Sequence, residues 1–264
     1  MAIRIGINGA AGRMGQRMVA LVSAEPTLEL AAALEYATHP QLGEDAGQIA
    51  GVRQLGVKLS ATLDSPVDVM IDFSVPKATA AVLALCLEKK LPLVVATTGL
   101  GEEMAAKIRE AARQIPILWS PSMSMAVNLA MKLSETAGRA LADHPSGADV
   151  EIIEQHHRFK EDAPSGTALR FGEIIAQAMG LTDARHGRAG RPGARPHGEI
   201  GYHAVRTGDN PGEHTIIFGL LGETLEIRVR ASNRDCYAHG ALAAAKFLHD
   251  KKPGLYSMND VLGL

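Results

Sequence analysis

Between Glu151 and Ala168 the chain reads EIIEQHHRFKEDAPSGTA, which gathers two adjacent imidazoles, an amine three residues beyond the second, and a Pro-Ser-Gly-Thr turn. These types suit proton transfer beside an anion. Histidine titrates near neutral pH, and Lys160 brings a cation and a proton. Ser165, Gly166 and Thr167 begin a helix, whose free N–H groups and positive end attract carboxylate or phosphate. Gly166 lets a ligand approach the backbone, and the Thr167 hydroxyl adds a donor. A small anionic substrate that takes a proton after a hydride would use all of these groups. His156 and His157 are also metal-type ligands, but no third ligand is spaced nearby, so no metal is expected. On a persisting strand the two rings would face opposite ways, and they share a cleft only if the strand breaks there. Taken alone, the segment also reads as a strand running into a solvated loop and a helix cap.

A second segment, INGAAGRMGQ, follows the first apolar run and opens the first helical pattern. Gly9, Gly12 and Gly15 are spaced G-x-x-G-x-x-G: a tight turn, a close approach for a pyrophosphate, and close packing of helix on strand. Glu35, twenty residues beyond Gly15, ends the second strand, where a carboxylate can accept from ribose hydroxyls. Arg13 inside the turn is either a solvated side chain or a cation near the adenine or a 2′-phosphate. Two further loops, ATTGL (Ala96–Leu100) and SPSMS (Ser120–Ser124), follow strands of the same half. Doubly wound sheets bind ligands beyond the carboxyl ends of their strands, which would bring these loops to a nicotinamide.

The elements that must position these groups differ between the two halves. In the first, apolar runs such as IRIGING, VDVMIDFS and LPLVVATTG alternate with helical patterns such as KATAAVLALCLEKK. This predicts βαβ units and a Rossmann-type doubly wound parallel sheet, with helices on both faces. In the second, a long helix (AVNLAMKLSETAGRALAD), the strand ADVEIIEQHH and the helix SGTALRFGEIIAQAMG precede a run of strands and turns. That predicts an α+β domain with an open mixed sheet. The boundary is set near Asn128. Residues 1–127 are expected to form the dinucleotide-binding domain, with 238–264, a closing helix, packing back on it, and 128–237 the second domain.

Net charge of -2 and 21% charged residues give no pull toward nucleic acid or anionic membrane. No apolar run reaches transmembrane length. The arginine- and glycine-rich stretch TDARHGRAGRPGARPHG lacks aromatics and is expected to be a mobile loop. Cys86 and Cys236 form no disulfide framework, Cys86 reads as a buried helix residue, and a reduced cytoplasmic protein is expected.

The chain resembles the dihydrodipicolinate reductase (4-hydroxy-tetrahydrodipicolinate reductase) family nearly end to end, through GAAGRMG, ATTG, VNLAMKL, EIIEQHHRFKEDAPSGTAL, VRTGDNPGEHT and DVLGL. The run His-His-x-x-Lys followed by D-A-P-S-G-T is the most specific part. The resemblance implies reduction of a small cyclic dicarboxylate imine by NADH or NADPH, in the diaminopimelate route to lysine. It implies that His156 is the acid/base histidine and Lys160 the proton donor, that His157 binds substrate, and that Gly166 and Thr167 hold a carboxylate. The cofactor would lie on Gly9, Ala10, Ala11, Gly12, Arg13 and Met14, with Glu35 at the ribose. Ala96, Thr97 and Thr98, and Ser120, Pro121, Ser122 and Met123, would flank the nicotinamide. A homotetramer joined through the second domain's open sheet is implied as well. Family members that take NADPH readily often carry Arg after the Glu35 equivalent, where this chain has Tyr36. Two rivals are a different two-domain dehydrogenase, acting on aspartate or a related amino acid, and a nucleotide sensor without turnover. The His-His-x-x-Lys run speaks against both.

Overall fold

The computed structural model describes all 264 residues, which form two compact units, Met1–Met125 with Asp235–Leu264, and Ala126–Arg234. The chain begins with β1 (Ile3–Asn8), α1 (Arg13–Ala24), β2 (Leu28–Leu34), α2 (Ala46–Ile49), β3 (Leu59–Ser60) and β4 (Val69–Asp72). α3 (Pro76–Lys89), β5 (Leu93–Val95), α4 (Glu102–Ala111) and β6 (Pro116–Trp119) follow. α5 (Met125–Leu141) leads into β7 (Asp149–His156), α6 (Gly166–Met179), β8 (Asp183–His186), β9 (Glu199–Arg206), β10 (Glu213–Leu220) and β11 (Glu223–Arg230). The chain ends with α7 (Asp235–Leu248), β12 (Gly254–Tyr256) and α8 (Met258–Leu262).

The first unit is a seven-stranded sheet in the order β12-β6-β5-β4-β1-β2-β3, parallel throughout. Its strands show no polar alternation because both faces are covered. Val69, Ile71 and Val94 pack with Met18, Val19 and Leu242 on one face. Met70, Leu93 and Val95 pack with Val82, Leu83 and Ile108 on the other. Each such fully buried aliphatic side chain contributes about 1.5–3 kcal/mol relative to exposure. The strand order reverses between β1 and β4, and this switch point is where doubly wound sheets bind ligands. Cys86 is fully buried in α3, and burial pushes its thiol pKa up, away from nucleophilic chemistry.

α7 does not close the chain, contrary to the sequence expectation. β12 pairs in parallel with β6, and α8 follows with a Ser257–Asp260 capping box. A three-residue strand is too short for periodicity to reveal.

The second unit is a mixed sheet in the order β11-β10-β7-β9-β8. β7 and β8 run parallel to β9, while β10 is antiparallel to both β7 and β11. Phe171, Ile175 and Val127 pack with Val150, Ile152, Ile200, Ile216 and Phe218. The stretch from Thr182 to Gly198 is not simply a loop. It begins as the edge strand β8, and Arg188 and Arg195 tie the remainder to Glu151, Asp149 and Glu199. Low apolar content hid this, because ion pairs rather than burial hold the stretch.

Candidate active site

At the switch point β1 turns through Gly9 into α1. Gly9 has φ of 81°, a conformation that favours glycine. The N–H groups of Gly9 and Ala10 both donate to Leu34 O, pinning the turn to the end of β2. A Cβ on Gly15 would lie 2.0 Å from Gly9 O, so only glycine lets α1 sit this close. Gly12 caps α1 with no side-chain hydrogen bond and no acidic residue in the first turn. The N–H groups of Arg13, Met14 and Gly15 have no intramolecular acceptor, and they stand at the positive end of the helix. A dinucleotide's pyrophosphate fits this cradle. Glu35 stands at its rim, with Oε1 accepting from the Ala11 N–H at 3.1 Å and Oε2 open to ribose hydroxyls. Ala10 is buried, Ala11 and Met14 are half-buried, and Gly12 and Arg13 are exposed. Tyr36 is also exposed, its ring edge-on to His39.

The two loops expected at a nicotinamide both start at carboxyl ends of neighbouring strands, β5 and β6. Much of their polarity is committed to the scaffold. The Thr97 hydroxyl donates to Asp72 at 2.9 Å and accepts from the Ser74 N–H. Asp72 is fully buried and also accepts from Asn8 and Thr79. Ser120 donates to Ser122 O at 2.7 Å, and Ala96 and Met123 are buried. Thr98, Gly99 and Pro121 are the exposed members, with Ser122 half-buried.

The second unit holds the segment with His156, His157 and Lys160. β7 alternates along its length, with Val150, Ile152, Glu154 and His156 buried. The strand ends at His156, so His157 begins a loop and escapes the alternation that would have opposed the two rings. His156 Nδ1 lies 2.6 Å from Glu154 Oε2. Glu154 is fully buried and is gripped by both terminal nitrogens of Arg206, at 2.8 and 2.7 Å. It also accepts from the Ser165 N–H at 3.0 Å. Burial works to raise the Glu154 pKa, but Arg206, His156 and Ser165 prevail and hold it below the usual carboxylate value. Burial also lowers the His156 pKa, with Glu154 opposing, so the ring is mainly neutral at pH 7. His214 lies edge-on to His156 at 5.3 Å, and burial together with His156 pushes its pKa down to about 4.

Ser165 caps α6 by accepting from Ala168 at 3.2 Å, and its hydroxyl lies 3.1 Å from His214 Nε2. The N–H groups of Gly166 and Thr167 have no protein acceptor, and a Cβ on Gly166 would meet nothing within 4 Å. An open helix start with free N–H groups can accept an anion. Lys160 pairs with Asp162 at 2.8 Å. His157 Nδ1 is buried without a protein partner, which suits a ring waiting for a ligand.

Sequence reasoning missed Glu154, Arg206 and His214. Glu154 stands two residues before His156 on the same face of a strand, a legible signal. Arg206 and His214 come from β9 and β10, and only the sheet register brings them in.

A dinucleotide cradle on a doubly wound sheet, with an acid–base cluster on a separate mixed sheet, marks a pyridine-nucleotide-dependent oxidoreductase. Residues 3–123 match the family model for the dihydrodipicolinate reductase N-terminus, and residues 126–262 match that for its C-terminus. The chain belongs to the dihydrodipicolinate reductase family. A 4-hydroxy-tetrahydrodipicolinate reductase from Rhodopirellula baltica is 55% identical over 99% of this chain and 96% of its own length. One from Alkalilimnicola ehrlichii is 45% identical over 100% of both chains. The solved dipicolinate-bound dihydrodipicolinate reductase from Paenisporosarcina sp. TG-14 superposes with a TM-score of 0.79 at 25% identity, covering 97% of this chain and 98% of that one.

Proposed function

We propose that this chain reduces 4-hydroxy-tetrahydrodipicolinate to tetrahydrodipicolinate with a pyridine nucleotide, in the diaminopimelate route to lysine. One observation carries the chemistry: at the end of β7, an imidazole backed by a buried carboxylate stands in the same segment as the unpaired N–H groups of α6. Relatives sharing about half of the sequence over the whole chain are named for this reaction.

The nucleotide supplies the hydride when bound. The Arg13, Met14 and Gly15 N–H groups would hold its pyrophosphate, Glu35 its ribose, and the loops at Ala96–Thr98 and Ser120–Met123 its nicotinamide. On the substrate, the Gly166 and Thr167 N–H groups and the Thr167 hydroxyl hold one ring carboxylate, and His157 makes a further contact. Loss of the 4-hydroxyl as water leaves that ring carbon unsaturated, a hydride arriving there pushes electron density onto the neighbouring carbon, and this carbon then collects a proton. Lys160 delivers that proton. His156, largely neutral at pH 7, presents a ring nitrogen that shuttles protons with the ring of the substrate.

The protein works in the cytoplasm as a homotetramer assembled through the second sheet. The edge strand β11 is exposed along most of its length, with Leu225 43% exposed, and such an edge calls for cover. The test is a coupled assay in which dihydrodipicolinate synthase generates the unstable substrate while NADH and NADPH consumption are followed separately. Light scattering reads the assembly. No oxidation of either nucleotide, at a substrate flux proven by a known reductase, would overturn the reading.

A further inference from the structure

We propose that Glu154 and Arg206 form a positioning pair for His156, the carboxylate taking the Nδ1–H of the ring so that Nε2 is the nitrogen that meets the substrate. The inference rests on the reading of His156 as the acid–base group, and it goes further by naming what sets its tautomer and its affinity for protons. Glu154 itself does not transfer protons. Its two oxygens accept from His156 Nδ1, Arg206 Nη1, Arg206 Nη2 and the Ser165 N–H, all within 3.0 Å. Those donors sit on β7, β9 and the start of α6, so none can swing away. A carboxylate only accepts hydrogen bonds. The neutral ring therefore carries its hydrogen on Nδ1 and a lone pair on Nε2. At Nε2 the chain leaves space: Gly212 lies against that edge with φ of 146°, and a Cβ there would come within 3.0 Å of Nε2.

A purely structural role would not require this arrangement. A buried ion pair is commonly replaceable by packed apolar side chains without loss of stability. What an apolar pair cannot do is orient an imidazole. The charges facing His156 are Glu154 on its own strand, Arg206 on β9, and Lys160 with its partner Asp162 on the following loop, while His214 on β10 is neutral. Of these, Arg206 and Lys160 disfavour a proton on the ring, as burial does, and Glu154 is the group that favours it. Without the carboxylate the ring would bind a proton only at lower pH.

The experiment uses full-length protein labelled with [15N]histidine, in wild type, Glu154→Gln and the double variant Glu154→Leu/Arg206→Met. The His156 signals are identified by their loss in His156→Gln. In Glu154→Gln, the Ser165 N–H and Arg206 Nη2 hold the amide oxygen at the Oε1 position, so the amide NH2 takes the Oε2 position facing Nδ1, and Arg206 Nη1 loses its acceptor there. Wild type should show the Nδ1–H tautomer and Glu154→Gln the Nε2–H tautomer. Turnover at pH 7 should fall about 10- to 100-fold, within the usual reach of a general acid–base group. Cofactor Kd should stay within about twofold, and the histidine limb of the kcat–pH profile should move to lower pH. The double variant removes the risk of an unfolded Glu154→Gln, and should show mixed tautomers with a smaller shift of the limb in the same direction, because Arg206, which disfavours the ring proton, goes with the carboxylate. An Nε2–H ring in wild type would overturn the proposal. So would variants whose tautomer and pH limb match wild type while turnover falls only with the folded fraction. Wild-type turnover in His156→Gln would instead sink the acid–base reading of His156, and the ring spectra would still decide the positioning.

Discussion

Replacing Glu151 by Gln tests what holds the arginine-rich stretch onto the second sheet. The Glu151 carboxylate accepts from Arg188 at 3.0 and 2.7 Å, from Arg195 at 3.1 Å and from His203 at 2.7 Å. Burial opposes its ionisation, but Arg188, His203 and Arg195 prevail and bring its pKa from 4.5 to about 2. At 1.36 kcal/mol per pH unit that gap corresponds to about 3 kcal/mol. Glu151 keeps 21% of its side chain exposed, and solvent screening reduces the expected contribution to ~1–2 kcal/mol. The folded-state pKa lies below the unfolded one, so this stabilisation is present above pH 4.5 and is lost as pH falls toward 2. Gln does not titrate. Denaturant unfolding at pH 7 should therefore find Glu151→Gln less stable by ~1–2 kcal/mol, with the gap closing as pH falls from about 5 to about 2, the window of a depressed carboxylate. Amide exchange in β8 should quicken in the same variant, because Arg188, two residues beyond β8, is one of the groups that Glu151 holds. Equal stabilities at pH 7, or a gap that persists at acid pH, would refute the reasoning and leave the stretch held by its backbone pairing and by the Asp149 and Glu199 ion pairs.

Three further outcomes are expected at the proposed site. Lys160→Ala should lower kcat by ~10²–10⁴ while leaving cofactor Kd unchanged, and wild-type turnover at saturating substrate would remove Lys160 from proton delivery. Thr167→Val keeps the shape and removes the hydroxyl, so KM should rise by the worth of a charged hydrogen bond, ~1.5–3 kcal/mol; an unchanged KM would leave Thr167 as a first-turn residue of α6 and nothing more. Glu35 beside an exposed Tyr36 repels a 2′-phosphate, with Arg13 as the nearby cation in sequence, so NADH should serve at least as well as NADPH. Tyr36→Arg should then move the ratio of kcat/KM values toward NADPH, and an unmoved ratio would shift the discrimination to Arg13 or beyond.

The architecture was largely legible because its signals are local. The glycine spacing after β1, the βαβ rhythm and the Ser-Gly-Thr start of α6 each lie within one short window, and each has a direct steric or electrostatic cause. What escaped was set by pairing across the sheet. Nothing near Arg206 or His214 in sequence shows that they meet Glu154; parallel and antiparallel register does. The polar side chains of Thr97 and Ser120 read as candidate ligand groups, yet Asp72 and Ser122 O engage them. β12 is too brief to read from periodicity, and β8 lies in a polar stretch whose stability comes from long-range ion pairs.

β7 also explains why the two charge clusters of the second unit stay apart. Its even-numbered residues, Val150, Ile152, Glu154 and His156, face α5 and α6, and the odd-numbered Asp149 and Glu151 face the other way. The adjacent Ile152 and Ile153 conceal this in sequence, because they interrupt the polar–apolar alternation where the inner face changes from apolar to ionisable. His214 sits opposite Glu154, and Arg206 opposite His156, on that inner face. Gly201 sits opposite Glu151, and His203 opposite Ile153, on the outer one. A slip of one residue would exchange the faces, setting Glu151 among Phe171 and Phe218 and turning His156 away from Glu154's partners. Burying an unpaired carboxylate costs several kcal/mol, so the ion pairs on both faces oppose the same error. The register that stabilises the sheet is therefore the register that builds the proposed proton-transfer site, and the Glu151 clamp on one face supports the His156 geometry on the other without touching it.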